Sequence, residues 1–334
     1  MRRAARRRRP RHPLLHPQPL PRHPRHPQRP ARGPAVGAQA LTSVERPHPA
    51  PPPEPAALDL LLPSGRLRAH RSGSPRGRLA VGIPGISANS RSFDYLGERL
   101  GGPRRQLVAV DLRGRGHSSI TPPGTYGWRR HARDVLAAAA QIAPPPADVI
   151  GHSMGAFVAM EMAALDPGAI RRVVLIDGLG LPDLLAVTAI IRVVRRLAGP
   201  SRSADAYLDR VRLTGAVTPW NEHWERAFRY ELVADGSGVR PRTDPVAVLE
   251  DMAYGSWRDP HALWHRLTMP VLLVRATQPM LGGGGHVVGA ADRDRFLRTV
   301  AGAEVVEVDA NHYGVMTHPA TASAIRRFLA DARA

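Results

Sequence analysis

The stretch Ala147-Asp148-Val149-Ile150-Gly151-His152-Ser153-Met154-Gly155-Ala156-Phe157-Val158 decides how the chain is read. A short apolar run ends in Gly151. After the turn, residues 156–165 are Ala- and Met-rich and helix-forming, until Asp166-Pro167 stops them. A serine flanked by glycines at a strand-to-helix junction sits in a tight turn, because glycine lets neighbouring backbone approach without a Cβ clash. The turn exposes the Ser153 hydroxyl above the sheet, beside a helix N-terminus that favours negative charge. In such a G-x-S-x-G turn the N–H of Met154 faces the oxyanion that forms when Ser153 attacks a carbonyl.

Outward from this turn the same alternation repeats. Residues 58–62 and 66–71, around Pro63-Ser64-Gly65, predict a β-hairpin. Short apolar runs at 79–83, 107–110, 173–176, 271–274 and 305–308 predict buried strands, and helices are predicted at 92–100, 128–142, 290–300 and 320–332. This alternation predicts an α/β fold with a mostly parallel central sheet flanked by helices. Between 178 and 267 it breaks: the segment holds helical stretches and most of the Trp residues, with no clear strand. A helical block inserted after the sixth strand reads as a cap over the carboxyl ends of the strands, where open α/β sheets bind ligands. The expected organisation is a disordered tail at 1–55, a core at 56–178 and 268–334, and a cap at 179–267.

Composition narrows the classes. The formal net charge is +19, of which the twelve Arg and two Glu of residues 1–55 supply +10. All 47 basic residues are Arg, scattered through the body without a stripe, which argues against nucleic acid as a partner. The tail is Pro-, His- and Arg-rich and cannot bury enough apolar surface to offset its ordering entropy. Met1-Arg2-Arg3 has the charge of an export signal, but no apolar stretch follows it. No apolar run reaches the roughly 18 residues of a membrane span, so no membrane partner is expected. Without Cys there is neither disulfide nor thiolate chemistry, which fits a cytoplasmic location.

The motifs resemble the α/β-hydrolase superfamily over residues 58–334. Beside the serine turn, the resemblance rests on Pro84-Gly85-Ile86 after the third strand and on Asp111-Leu112-Arg113-Gly114-Arg115-Gly116-His117-Ser118 after the fourth. Asn311-His312 with Pro319 near the end completes it. It implies a serine hydrolase with a Ser–His–Asp triad and no cofactor or metal. Ser153 would be the nucleophile, His312 the base, and the N–H groups of Ile86 and Met154 the oxyanion hole. Asp111 and Arg113 are implied to hold a turn. Among His265, His286, His312 and His318, His312 lies on the short loop directly after the last strand, where the family carries its base; His318, before Pro319 at the start of the last helix, reads as a surface residue. Asn311 stands in place of the usual Gly and tolerates a left-handed backbone; Pro84 stands in place of the usual His. Ser87, Asn89, His152 and Tyr313 are expected to face the substrate.

The acid departs from the family pattern. Its commonest position, after the strand at 271–274, holds Pro279. Asp177 ends the strand at 173–176, where some members of the superfamily carry the acid. Asp292 and Asp294 are the other candidates, at a predicted helix start where capping is the ordinary use of Asp. The aromatic residues of the cap, among them Trp220, Trp224, Trp257 and Trp264, favour a small hydrophobic ester, lactone or related acyl compound as substrate. Superfamily dehalogenases and epoxide hydrolases use an Asp nucleophile, so Ser153 speaks against both. A non-catalytic ligand-binding homologue, a C–C bond hydrolase and a cofactor-free oxygenase stay open. A chain beginning near Ala56 is expected to melt cooperatively and keep the full chain's activity; loss of the cooperative transition in thermal denaturation would contradict the reading of the tail.

Overall fold

The computed structural model describes residues 54–330, apart from Ala198 and Gly283. Of the expected disordered tail at 1–55, residues 1–53 therefore lie outside the described residues. The chain opens with an antiparallel hairpin, β1 (Ala56–Leu62) and β2 (Gly65–Gly73). It continues through β3 (Arg78–Ile83), α1 (Asp94–Leu100), β4 (Arg105–Val110), α2 (Trp128–Ile142), β5 (Ala147–His152), α3 (Met154–Leu165) and β6 (Ile170–Ile176). An inserted segment follows, with α4 (Leu184–Val194), α5 (Ala204–Arg212), α6 (Glu222–Tyr230), β7 (Leu232–Asp235), β8 (Gly238–Pro241), α7 (Pro245–Trp257) and α8 (His261–Trp264). The chain then rejoins the sheet through β9 (Val271–Ala276), α9 (Ala290–Thr299), β10 (Glu304–Val308) and α10 (Pro319–Leu329).

The main sheet has eight strands in the order β1-β2-β4-β3-β5-β6-β9-β10. β1 and β2 are antiparallel to their neighbours, and the other six run parallel. Successive residues of a strand face opposite sides, and both sides are buried. Val81, Val149, Val173 and Leu273 pack with α2 and α3, while Ala80, Ile150, Val174 and Leu272 pack with α1, α10 and part of the inserted segment. Strands buried on both faces need continuous apolar runs, which is why the sequence marks them so clearly.

The inserted segment differs from the all-helical expectation. β7 and β8 form a small antiparallel hairpin around Gly236, which has a φ of 58°. Four residues per strand leave almost no periodicity to read, although Asp235-Gly236 is a turn signal.

The serine turn is built by exclusion of side chains. Ser153 has φ 55° and ψ −122°, left-handed backbone that an L-residue adopts at a cost of about 1–2 kcal/mol. A Cβ on Gly151 would overlap the carbonyl of Gly155, and one on Gly155 the carbonyl oxygen of Ile83 at the end of β3. Both clashes are with backbone and cannot be relieved by rotating a side chain. Gly155→Ala is therefore expected to lose more than about 3 kcal/mol of stability or fail to fold. A denaturation midpoint unchanged from the parent chain would contradict this account of the turn.

Candidate active site

Ser153 follows β5 and opens onto a cavity of about 310 Å³. Gly85, Ile86, His152, Ser153 and His312 line its floor at the carboxyl ends of the strands. Val187, Ile190 and Val193 of α4, Trp224 of α6 and Met252 of α7 line it from the inserted segment. The remaining walls include Trp128 and Phe157, stacked with ring centroids 4.5 Å apart. The space is therefore apolar, with a few polar groups gathered around Ser153.

His312 lies three residues beyond Asp309 on the loop after β10. Its ring Nδ1 is 2.8 Å from Asp177 Oδ2, and both side chains are buried. Asp177 follows β6 with φ 43°, and its second oxygen accepts the N–H of Ala276 at 3.1 Å. The carboxylate is thus tied to the end of β9, the next strand of the sheet. With Nδ1–H donated to Asp177, the lone pair of a neutral His312 is on Nε2, the tautomer a general base needs. Asp292 is instead 3.0 Å from His261, and Asp294 pairs with Arg293 at 2.7 Å. His318 Nδ1 accepts the N–H of Ala320 and caps α10. His286 Nε2 lies 3.1 Å from the carbonyl of Thr277.

The loop after β3 faces the turn. A methyl group on Gly85 would lie 3.1 Å from Ser153 Cβ, a tight contact, and 3.5 Å from Ser153 Oγ, so the loop passes close to the hydroxyl. Among the described residues, no backbone acceptor takes the N–H of Ile86 or of Met154. Ser87 lines the cavity, with its hydroxyl accepting from Arg196 at 3.0 Å. Asn89 is not brought to this cavity. Its amide donates to the carbonyl of Ala227 and its oxygen accepts the N–H of Arg91, so the side chain starts a 3-10 turn and ties it to α6. Short polar side chains commonly bond to nearby backbone in this way, which the expectation of a substrate contact overlooked. Asp111 likewise serves the fold, accepting from the N–H groups of Ser90 and His117. Arg113 pairs with Asp134 at 2.6 Å.

His152 is buried, and its Nε2–H donates to the carbonyl of His312 at 3.0 Å. Burial, reinforced by the charge of His312, pushes its pKa well below the ordinary histidine value. The ring is therefore neutral, and its Nδ1 lone pair is a buried acceptor without a partner among the described residues. That lone pair is 3.6 Å from the same point beside Gly85 that lies 3.5 Å from Ser153 Oγ. Tyr313 is buried edge-on against Trp224, with centroids 5.2 Å apart, and both line the cavity. Trp257, expected among the apolar aromatics of the cap, is 89% exposed.

Sequence reasoning missed Asp251 of α7. It lines the cavity, but its carboxylate is 2.6 Å from Arg115 and 3.0 Å from His131. Burial raises its pKa, but the attraction of His131 and Arg115, with hydrogen bonds from His131 and the N–H of Gly127, more than reverses this and leaves it low. No arginine is among the described residues lining the cavity. Among the described residues no group of three His, Asp or Glu is placed to hold a metal, and no helix is long and apolar enough to cross a membrane.

Residues 80–324 match the sequence profile of the alpha/beta hydrolase family. A 2-(acetamidomethylene)succinate hydrolase of Mesorhizobium japonicum is 29% identical over 279 residues, 79% of this chain and 92% of that protein. A pimeloyl-[acyl-carrier protein] methyl ester esterase of Methylococcus capsulatus is 29% identical over 241 residues, 68% of this chain and 85% of that protein. A shorter match, 36% identical over 102 residues, links 30% of this chain to 38% of an N-formylmaleamate deformylase of Pseudomonas putida. The solved structure of E-2-(acetamidomethylene)succinate hydrolase is similar with a TM-score of 0.71 at 28% identity, covering 82% of this chain and 98% of that one.

The state of His152 is directly measurable. In ¹⁵N NMR of imidazole-labelled protein, His152 is expected to stay neutral and Nε2-protonated as the pH is lowered through the ordinary histidine value of about 6.5. Titration near 6.5 would contradict its assigned environment.

Proposed function

This chain belongs to the alpha/beta hydrolase family, and on that premise we propose that it is a serine hydrolase of small, neutral, hydrophobic esters, lactones or related acyl compounds. One observation carries the reading: the 2.8 Å hydrogen bond between His312 and Asp177, beside the cavity that Ser153 enters. His312 Nε2 takes the proton as Ser153 Oγ attacks the carbonyl carbon. Asp177 holds the ring and stabilises the imidazolium that results. The N–H groups of Ile86 and Met154 receive the oxyanion. Collapse of the tetrahedral adduct expels the alcohol, which takes its proton from His312 and leaves an acyl-Ser153 ester. Water, deprotonated by His312, then releases the acid and restores the serine.

The lining supports a neutral substrate. Burying a carboxylate without a partner costs several kcal/mol, and among the described residues the cavity lining holds no arginine while containing Asp251. The succinate in one relative's name is a dianion, so we place this chain's substrate in a different class. Ser87, His152 and Tyr313 remain the polar substrate-facing groups, and the His152 lone pair suits an N–H or O–H donor near the scissile carbonyl. A chain without Cys suits the reducing cytoplasm, where we place it.

On a panel of p-nitrophenyl esters, Ser153→Ala is expected to lower kcat by at least about a thousandfold. Asp177→Asn is expected to approach a loss of about 10⁴, while Asp292→Asn and Asp294→Asn stay within a few-fold of the parent. Near-parental turnover by Asp177→Asn would remove it as the acid.

A further inference from the structure

An N–H can serve an oxyanion only if its peptide plane is held, and the loop after β3 has no strand or helix to hold it until the 3-10 turn at Ser90–Phe93. Three successive carbonyls of this loop are nevertheless anchored. Gly85 accepts the N–H of Ala88 at 3.1 Å. Ile86 accepts from Arg115 Nε at 2.9 Å, and Ser87 from Arg196 Nη2 at 2.7 Å. Because a trans peptide points its N–H opposite to its C=O, fixing the Gly85 carbonyl toward Ala88 turns the Ile86 N–H the other way. The next two planes are fixed by guanidinium groups from elsewhere in the chain. A second nitrogen of Arg196 also holds the Ser87 hydroxyl at 3.0 Å, using the planar fork that an ammonium lacks.

Both arginines depend on the inserted segment. Arg196 itself follows α4. It lies 3.6 Å from Glu231, which also accepts a hydrogen bond from Tyr207 of α5, and over the ring of Phe228 of α6. Burial disfavours the charge of Arg196, but Tyr207 and Glu231 more than offset this and hold it on. Arg115 comes from the loop after β4, yet its ion-pair partner Asp251 is on α7, and Arg115 also donates to the backbone carbonyl of Ala247 on α7 at 3.4 Å. The chamber beside Arg196 is about 20 Å³, room for one water and not for a phosphate or carboxylate ligand. The guanidinium therefore has the loop, rather than a ligand, to hold.

We propose that Arg196 and Arg115 are positioning residues for the oxyanion donor at Ile86, so that seating the inserted segment completes the catalytic site as well as covering it. The inference rests on the serine-hydrolase reading above. A segment displaced to admit substrate would release Arg196 from the Ser87 carbonyl, and so loosen the Ser87–Ala88 peptide plane whose N–H holds the Gly85 carbonyl opposite the Ile86 N–H.

The test uses the full chain with an ester substrate and a trifluoromethyl ketone, whose adduct on Ser153 places an oxyanion at the same donors. Arg196→Met would leave the buried Glu231 without its cationic partner, so it is combined with Glu231→Gln. The double variant is expected to melt cooperatively and keep KM within about threefold. Its kcat is expected to fall tenfold to a hundredfold, below the loss for deleting an oxyanion donor outright, and the ketone's Ki should rise by the same factor. Arg196→Lys, which keeps the charge without the fork, is expected to fall between the parent and the double variant and carries the test if the latter does not fold. Folded variants with parental kcat, a loss confined to KM, or an unchanged ketone Ki would overturn the proposal while leaving the serine-hydrolase reading intact. A parent chain that neither hydrolyses esters nor binds the ketone would overturn both.

Discussion

The positive φ of Ser153 is a local cost that the rest of the site is arranged around. The turn exists because Gly151, Gly155 and Gly178 leave no Cβ between the start of α3, the end of β3 and the loop after β6. A side chain at any of them would meet backbone, and the three segments would have to separate. Their contact places the serine hydroxyl, the N–H of Ile86 and the carboxylate of Asp177 within one small region. The strand order does the remainder: β3 and β6 flank β5, β9 lies beside β6, and β10, which leads to His312, lies beside β9. The five parallel strands beside β4 therefore deliver their carboxyl ends, and with them Ser153, Asp177 and His312, to one edge.

Around this edge charge is buried only where it is matched. Asp111 is met by the backbone N–H groups of Ser90 and His117 and by the Tyr230 hydroxyl, Arg113 by Asp134, and Arg115 by Asp251. Removing one member of such a pair costs about 3–5 kcal/mol, much more than most surface substitutions, because the other member stays buried and unpaired. Such a network contributes little net stability over an apolar core but fixes position closely. The loop after β3 shows the benefit, since two of its three anchored carbonyls rely on paired arginines. The cavity itself follows the opposite rule: aliphatic and aromatic walls surround a few polar groups, so recognition there is by shape and by one or two hydrogen bonds.

What was legible in the sequence was local. The helix at 128–142 was read with the observed limits because its Ala-rich run begins after Gly127 and ends before Pro144. The serine turn was legible because its glycines are required by backbone clashes between near neighbours. Asp177 was legible only as one of three candidates, because it ends the strand at 173–176, where some members of the superfamily carry the acid, and Pro279 holds the commonest position. The β7–β8 hairpin was not legible, since four-residue strands carry no period. Asn89 was misjudged because its partners, Arg91 N–H and Ala227 carbonyl, include one 138 residues away. Arg196 is one of 47 arginines and its contact with Ser87 spans 109 residues, so nothing in its neighbourhood marks it. Asp251 is hidden for the same reason: its partners come from the loop after β4 and from α2.

The claim on which all of this depends is that Ser153 becomes covalently acylated. Incubating the full chain with a fluorophosphonate and mapping the adduct by peptide mass spectrometry tests it without knowledge of the substrate. One equivalent of label on the peptide containing Ser153, and on Ser153 within it, is the result the structure predicts. Label on a different residue, or none after prolonged exposure of folded protein, would contradict it.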